Sequence, residues 1–184
     1  MSDPPDGPGP LQLRAEEIEA AVQCAAARFS ELPVVETSIL RMLILLGREL
    51  SALLEQSLRP YGLNWTDYRT LMMLFSQPNG VAYPGELCAY VAQSPANMTR
   101  IADSLYERGL ITRVGCDADR RRTILRITPA GEQTVRALLP ETAARTRAIF
   151  EPIPETGRAA LLGQLRALIA EIDKIDRATQ AGAR

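Results

Sequence analysis

Histidine is absent from this chain, and lysine occurs once, at Lys174. Without imidazole there can be no Ser-His-Asp or Cys-His dyad, no histidine metal ligand and no imidazole pH switch. The three cysteines, Cys24, Cys88 and Cys116, are odd in number and widely spaced, so they indicate neither a disulfide framework nor a zinc site. No phosphate loop, dinucleotide glycine motif, carboxylate pair or nucleophile–base arrangement is present. The chain is therefore expected not to be an enzyme and to need no cofactor or metal. Long apolar runs are missing too. Ile39–Leu46 is broken by Arg41 and followed by Arg48 and Glu49, which is far too short to span a bilayer. The start, Met1–Pro10, is rich in proline and glycine and has no apolar secretory core. A cytoplasmic protein without membrane partners is expected.

Charge is present but unevenly placed. The net charge of −1 hides a segment 1–37 with seven acids against two arginines and a segment 94–131 with seven arginines against four acids. The local field around the second segment matters more than the sum. Its centre is Cys116-Asp-Ala-Asp-Arg-Arg-Arg-Thr-Ile-Leu-Arg-Ile-Thr-Pro-Ala-Gly131. Leu125 and Ile127 alternate with Ile124 and Arg126, as on a strand, and Thr128-Pro129 reads as a helix cap followed by its first residue. Residues 111–127 are thus predicted to form a two-stranded hairpin with a basic tip. Such a tip suits a narrow, negatively charged groove, such as the minor groove of DNA.

Helical periodicity dominates the remainder. Residues 1–10 are expected to be disordered and 1–14 to form a tail. An amphipathic helix follows over 15–30, with Ile18, Val22, Ala25 and Phe29 on one stripe. A long helix is predicted from Thr37 to Leu58, apolar nearly all round in its first half and so expected to pack on more than one neighbour. Thr66 should cap a helix over 67–76. A short helix over 84–91, with Cys88 buried in it, should precede the link Ala92-Gln93-Ser94. Ser94 and Pro95 then start a helix ended by Gly109, with Met98, Ile101 and Leu105 facing inward. Two helices so tightly joined make a helix-turn-helix, and the basic hairpin makes it winged. Helices are expected from Thr128 to about Leu139, over 142–150, and from near 155. On the last, Leu161, Leu165, Leu168, Ile172 and Ile175 step by 4, 3, 4 and 3, a coiled-coil-like seam assigned to dimerisation.

These residues resemble the MarR family of bacterial winged-helix repressors. Asp119, Arg121 and Ile127-Thr128 follow that family's wing pattern of Asp-x-Arg, five residues, then Leu-Thr, with Ile for Leu. Ser94–Ile111 is similar to its recognition helix and following turn. Glu36–Met42 and Asn97–Asp103 extend the likeness, which spans roughly 30–175, toward the branch that represses multidrug efflux operons. The expected fold is mainly α: a winged helix-turn-helix with N- and C-terminal helices forming an intertwined dimerisation domain. Its parts are a tail over 1–14, N-terminal dimerisation helices over 15–60, the DNA-binding unit over 61–131 and C-terminal dimerisation helices over 132–184. The resemblance implies a homodimer on a double-stranded, pseudo-palindromic operator, with half-sites about 34 Å apart.

The start of the 95–108 helix is expected in the major groove. Asn97 can pair bidentately with adenine and Arg100 can reach guanine or phosphate, with Ser94, Ala96 and Thr99 beside them. Asp119 would hold Arg121 extended toward the minor groove, with Arg120 and Arg122 on flanking phosphates. A candidate ligand wall combines Tyr61, Asn64, Trp65, Tyr68, Arg69 and Met72 with Met42, Leu45, Leu46 and Glu49. Aromatic and methionine lining suits flat lipophilic molecules, with Arg69 available to an anion. The resemblance implies an aromatic weak acid, salicylate-like compound or antibiotic as inducer that relieves repression. Two other readings are open: redox sensing through Cys116 or Cys24, and a winged-helix module that binds protein.

Overall fold

Pro10 begins the first helix, because a proline there forfeits an N–H that has no partner and already holds a helical φ. In this computed structural model the described residues are 7–116 and 119–182, with the side chains of 116 and 119–123 outside the description. The chain divides into two units, Met1–Glu132 and Gln133–Arg184.

Helix α1 spans Pro10–Ala26, and the Gly9 N–H donates to Gln12 Oε1 at 2.8 Å. It starts within the segment 1–14 expected to be a tail and ends before Phe29, which is exposed rather than on the buried stripe. Residues 1–6 of that tail lie outside the described residues. Val22 is fully buried where α1 packs on α2, Val34–Leu58. This second helix begins before the expected Thr37. Leu45 and Leu58 are buried, while Val35, Ile39, Leu40 and Ile44 of the same helix stay exposed.

Helix α2 passes into a 3-10 turn, Arg59–Tyr61, and stops at Gly62, whose φ of 63° is left-handed. The Gly62 N–H donates to the Arg59 carbonyl at 2.9 Å and the Leu63 N–H to the Leu58 carbonyl at 3.2 Å, the paired bonds of a Schellman stop. Helix α3, Trp65–Ser76, then starts two residues earlier than its sequence suggests. Its cap is Asn64, not Thr66. Asn64 Oδ1 accepts from the Asp67 N–H at 2.8 Å, and Asp67 Oδ2 accepts from the Asn64 N–H at 3.3 Å. This reciprocal arrangement satisfies two donors that a threonine inside the helix would leave open.

A strand that periodicity missed, β1 (Val81–Ala82), leads into α4 (Pro84–Val91), α5 (Pro95–Glu107), β2 (Ile111–Cys116) and β3 (Asp119–Ile127). Two residues carry no readable alternation. They pair antiparallel with β3, Val81 against Arg126 and Ala82 against Leu125, giving a sheet of order β1-β3-β2. Leu125 and Ile127 are buried and Arg126 is exposed, which is the expected alternation. The core of this unit gathers Leu71, Leu74, Leu87, Val91, Met98, Leu105, Ile111 and Leu125.

Helix α6 runs unbroken over Pro129–Phe150, through Pro140, where two stretches, to about Leu139 and over 142–150, were expected. Just past the proline, the single Thr142 hydroxyl proton lies between the Leu138 and Leu139 carbonyls, its oxygen 3.0 Å from the first and 3.2 Å from the second. Helix α7, Glu155–Gly182, buries no residue, and Leu168, Ile172 and Ile175 of its seam are 45%, 64% and 60% exposed. Among the described residues, no helix is long and apolar enough to cross a membrane.

Thr128 caps α6 as its sequence indicates. Its Oγ1 accepts from the Gly131 N–H at 3.0 Å and donates to the Gly109 carbonyl at 2.7 Å. This draws Gly131 so close that a Cβ there would overlap the Leu110 carbonyl oxygen and lie 2.8 Å from Ile127 Cγ1. Backbone cannot step aside as a side chain can. Gly131→Ala is therefore expected to destabilise by about 1–3 kcal/mol. Urea denaturation reads this directly, and an unchanged midpoint would refute the close approach.

Candidate nucleic-acid interface

The turn of the helix-turn-helix is set by Ala92, whose φ of 53° closes α4 in the left-handed region. Ser94 then caps α5, its Oγ accepting from the Asn97 N–H at 3.2 Å. One face of α5 is core, with Met98, Ile101, Ala102 and Leu105 no more than 7% exposed. The same geometry leaves Ser94, Ala96, Thr99 and Arg100 exposed and Asn97 half-buried. A helix start with exposed polar side chains can accept a phosphate and read base edges.

The polar side chains of α5 are linked in a chain. Gln93 Oε1 accepts from Asn97 Nδ2, and Asn97 Oδ1 accepts from Arg100 Nη1 at 3.4 Å. Thr99 Oγ1 donates to the Pro95 carbonyl at 3.0 Å. Gln93 was not singled out from sequence, although its spacing of four before Asn97 could have shown it. Asp103 and Arg113 form an ion pair between α5 and β2, and the Arg113 guanidinium lies 5.4 Å from the centre of the Tyr106 ring. Nothing local in the sequence connects these positions, because the contact depends on how β2 folds back. The expected wing residues Asp119, Arg120, Arg121 and Arg122 lie on β3, and their side chains are outside the described residues.

Four of the ten residues of the candidate ligand wall border three different cavities. Asn64 and Trp65 border a cavity of about 400 Å³ with Glu55, Asp67, Asn97, Arg100, Ile101 and Ser104. Met42 lines a separate apolar groove of similar volume between α1 and α2, with Val34, Val35, Ile39 and Leu43. Leu45 faces a third, of about 290 Å³, beside Arg14 and Arg48. Glu49 is ion-paired with Arg14 at 3.3 Å and Arg48 at 2.8 Å, and Leu46 and Tyr61 are exposed. Tyr68 is buried against Trp65, their ring centres 5.8 Å apart, and Met72 is half-buried. Arg69 donates to the carbonyls of Tyr90 at 2.5 Å and Val91 at 3.4 Å. A cation on the last carbonyls of α4 complements that helix's negative end.

Of the cysteines, Cys24 is exposed and Cys88 half-buried rather than buried, while the side chain of Cys116 is outside the described residues. Among the described residues, no group of three or more candidate ligands could hold a metal ion.

Among the described residues, Asp67 is the one carboxyl shifted from its ordinary range. Burial raises it above the ordinary 3.8, and Glu55 adds to this, against the Asn64 backbone donor and the Arg108 charge. The folded chain thus holds this proton more tightly than the unfolded chain does. Stability is lost as pH rises through the folded pKa, and the penalty disappears below 3.8. Asp67→Asn, which keeps an acceptor for Asn64, is expected to melt higher than the wild type at pH 7. That gap should shrink as pH falls toward 4. A gap that widens on acidification would reverse the sign assigned to this burial.

Three comparisons bear on this arrangement. A sequence profile of the MarR family matches residues 61–122. The transcriptional repressor MprA of Escherichia coli (strain K12) is 29% identical over 160 residues, covering 87% of this chain and 91% of MprA. Among solved structures, Sco3205 is a MarR family transcriptional regulator from Streptomyces coelicolor in complex with DNA. It superposes with a TM-score of 0.69 at 22% identity, over 76% of this chain and 88% of Sco3205. CouR from Rhodococcus jostii RHA1, bound to p-coumaroyl-CoA, has a TM-score of 0.62 at 25% identity. That match covers 71% of this chain and 88% of CouR.

Proposed function

Given that the chain belongs to the MarR family of transcriptional regulators, we propose that it is a homodimeric, ligand-relieved repressor of a multidrug efflux operon. The observation that carries this reading is the divided character of α5. Its inward face is core, and its capped N-terminal start presents Ser94, Ala96, Asn97, Thr99 and Arg100. These residues read the major groove. The wing that follows brings Arg121 to the minor groove, held by Asp119, with Arg120 and Arg122 on phosphates. MprA is a repressor and Sco3205 was captured with DNA, and both support the direction of this reading.

The N-terminal helices over 15–60 and the C-terminal helices over 132–184 join two copies around the DNA-binding unit over 61–131. The exposed apolar residues of α2 and α7 support this assignment, since solvent-facing stripes of that kind ordinarily find a protein partner. The inducer is an aromatic weak acid. In the region bordered by Asn64 and Trp65 it would sit beside Asn97 and Arg100, so its binding would act directly on the reading helix. A ligand that favours one helix arrangement by a few kcal/mol is enough to release DNA.

Fluorescence anisotropy with labelled duplex from upstream of the protein's own gene tests the reading. Arg121→Ala is expected to lose tight binding while remaining dimeric. Asn97→Ala and Arg100→Ala should each cost about 1–3 kcal/mol of binding. Salicylate and a lipophilic phenol should weaken the wild-type complex. Wild-type affinity in Arg121→Ala would overturn the wing assignment. Indifference to both compounds would overturn the inducer class.

A further inference from the structure

Arg108 closes the C-terminal end of α5, and its guanidinium does not face solvent alone. Its Nη2 donates to the Tyr61 carbonyl at 2.5 Å and its Nη1 to the Gly62 carbonyl at 2.9 Å. Those carbonyls lie at the stop of α2, just beyond the Arg59 and Leu58 carbonyls that take the Schellman bonds of Gly62 and Leu63. The planar fork thus completes the cap of the long helix from 46 and 47 residues away. A Cβ at Gly62 would make only ordinary contact with Arg108 Nη2, at 3.6 Å, so it is the left-handed φ of 63° that asks for glycine here. The buried Asp67 carboxylate, at the first turn of α3, feels the same guanidinium charge. One side chain therefore ties the end of α5 to the end of α2.

We propose that Arg108 is a positioning residue for DNA recognition: its bidentate clamp on Tyr61 and Gly62 pins the reading helix to the long helix. The residue sits at the far end of α5 from Ser94 and Asn97, so it acts through the pose of the helix and not through contact with DNA. Cation charge alone is insufficient for this role. Lysine carries the same charge as a compact ammonium and cannot match two carbonyls as a flat fork does.

The inference rests on the DNA-binding reading above, and two measurements keep the two separable. In anisotropy titrations on the same duplex, Arg108→Ala is expected to bind about tenfold more weakly, the scale of losing charge-assisted hydrogen bonds. The fraction of active protein, from stoichiometric titration, should be unchanged. The slope of log K against log salt should also stay at its wild-type value, whereas each lost phosphate contact would reduce it by about 0.9. Arg108→Lys should remain at least about threefold weaker than wild type.

Hydrogen exchange without DNA provides the second reading. Peptides covering 59–64 and 104–110 should exchange about tenfold faster in Arg108→Ala, with the β2–β3 strands unchanged. A reduced salt slope would make Arg108 a phosphate contact, and full recovery in Arg108→Lys would make it a charge effect. A fall in active fraction with unchanged affinity would make it merely structural. Each of these overturns the proposal, as does unaltered exchange. If the wild type binds no duplex, the DNA reading fails, and the exchange result alone decides whether the clamp holds α5.

Discussion

The burial of Met98, Ile101 and Leu105 is the constraint on which the helix-turn-helix depends. These side chains fix the rotation of α5 about its own axis, because helical residues three and four apart share a face. Once that face is inside, Ser94, Ala96, Thr99 and Arg100 have nowhere to go but outward. The surface chemistry of the helix is thus a consequence of its core, and a polar residue at Met98 would disturb both together. The sheet reinforces the same orientation from the other side, since Leu125 and Ile127 bury into the core that α5 helps to form.

The arginines fall into two groups by what their guanidinium groups meet. Arg69 and Arg108 end on backbone carbonyls at helix C-termini, and Arg113 ends on Asp103. These groups are spent on geometry, stitching α3 to α4, α5 to the stop of α2, and β2 to α5. Arg100 has only the long contact to Asn97 at its head and remains exposed. A charge count over 94–131 treats all seven arginines alike, so it overstates the positive charge that a ligand or a phosphate could meet. Proximity to a carbonyl or carboxylate is the better guide to which cations are available.

Periodicity and capping chemistry made the helix-turn-helix legible. The inward stripe of α5, the Ser94 and Thr128 caps and the alternation in β3 are local signals, and the structure bears each of them out. Signals failed where the outcome was not local. The strand Val81–Ala82 exists only because β3 offers it an edge, and Pro140 stays inside α6, with a threonine hydroxyl bond just past it. Asn64 displaced Thr66 as cap because the acceptor and Asp67 reciprocate at the earlier position. The scatter of the aromatic and methionine residues over several surfaces has the same origin. Composition groups them, but only the fold decides which share a cavity. Asp103–Arg113 and the Arg108 clamp were invisible for that reason, since each joins positions with no fixed spacing.

The limited positive charge of the reading segment and the exposed apolar stripes of α2 and α7 become parts of one design on the proposed reading. A single copy whose segment 94–131 has a net excess of three charges makes few phosphate contacts, so alone it would bind weakly and lose affinity steeply with salt. Joining two copies changes the arithmetic without adding charge, because the second unit meets its half-site at a high effective concentration. Affinity then hinges on the separation between two reading helices and on how firmly each is held. Small shifts at the base of α5 become decisive under those terms. A ligand need not compete with DNA for Asn97 or Arg100; it need only stabilise a helix pose that mismatches the half-site spacing.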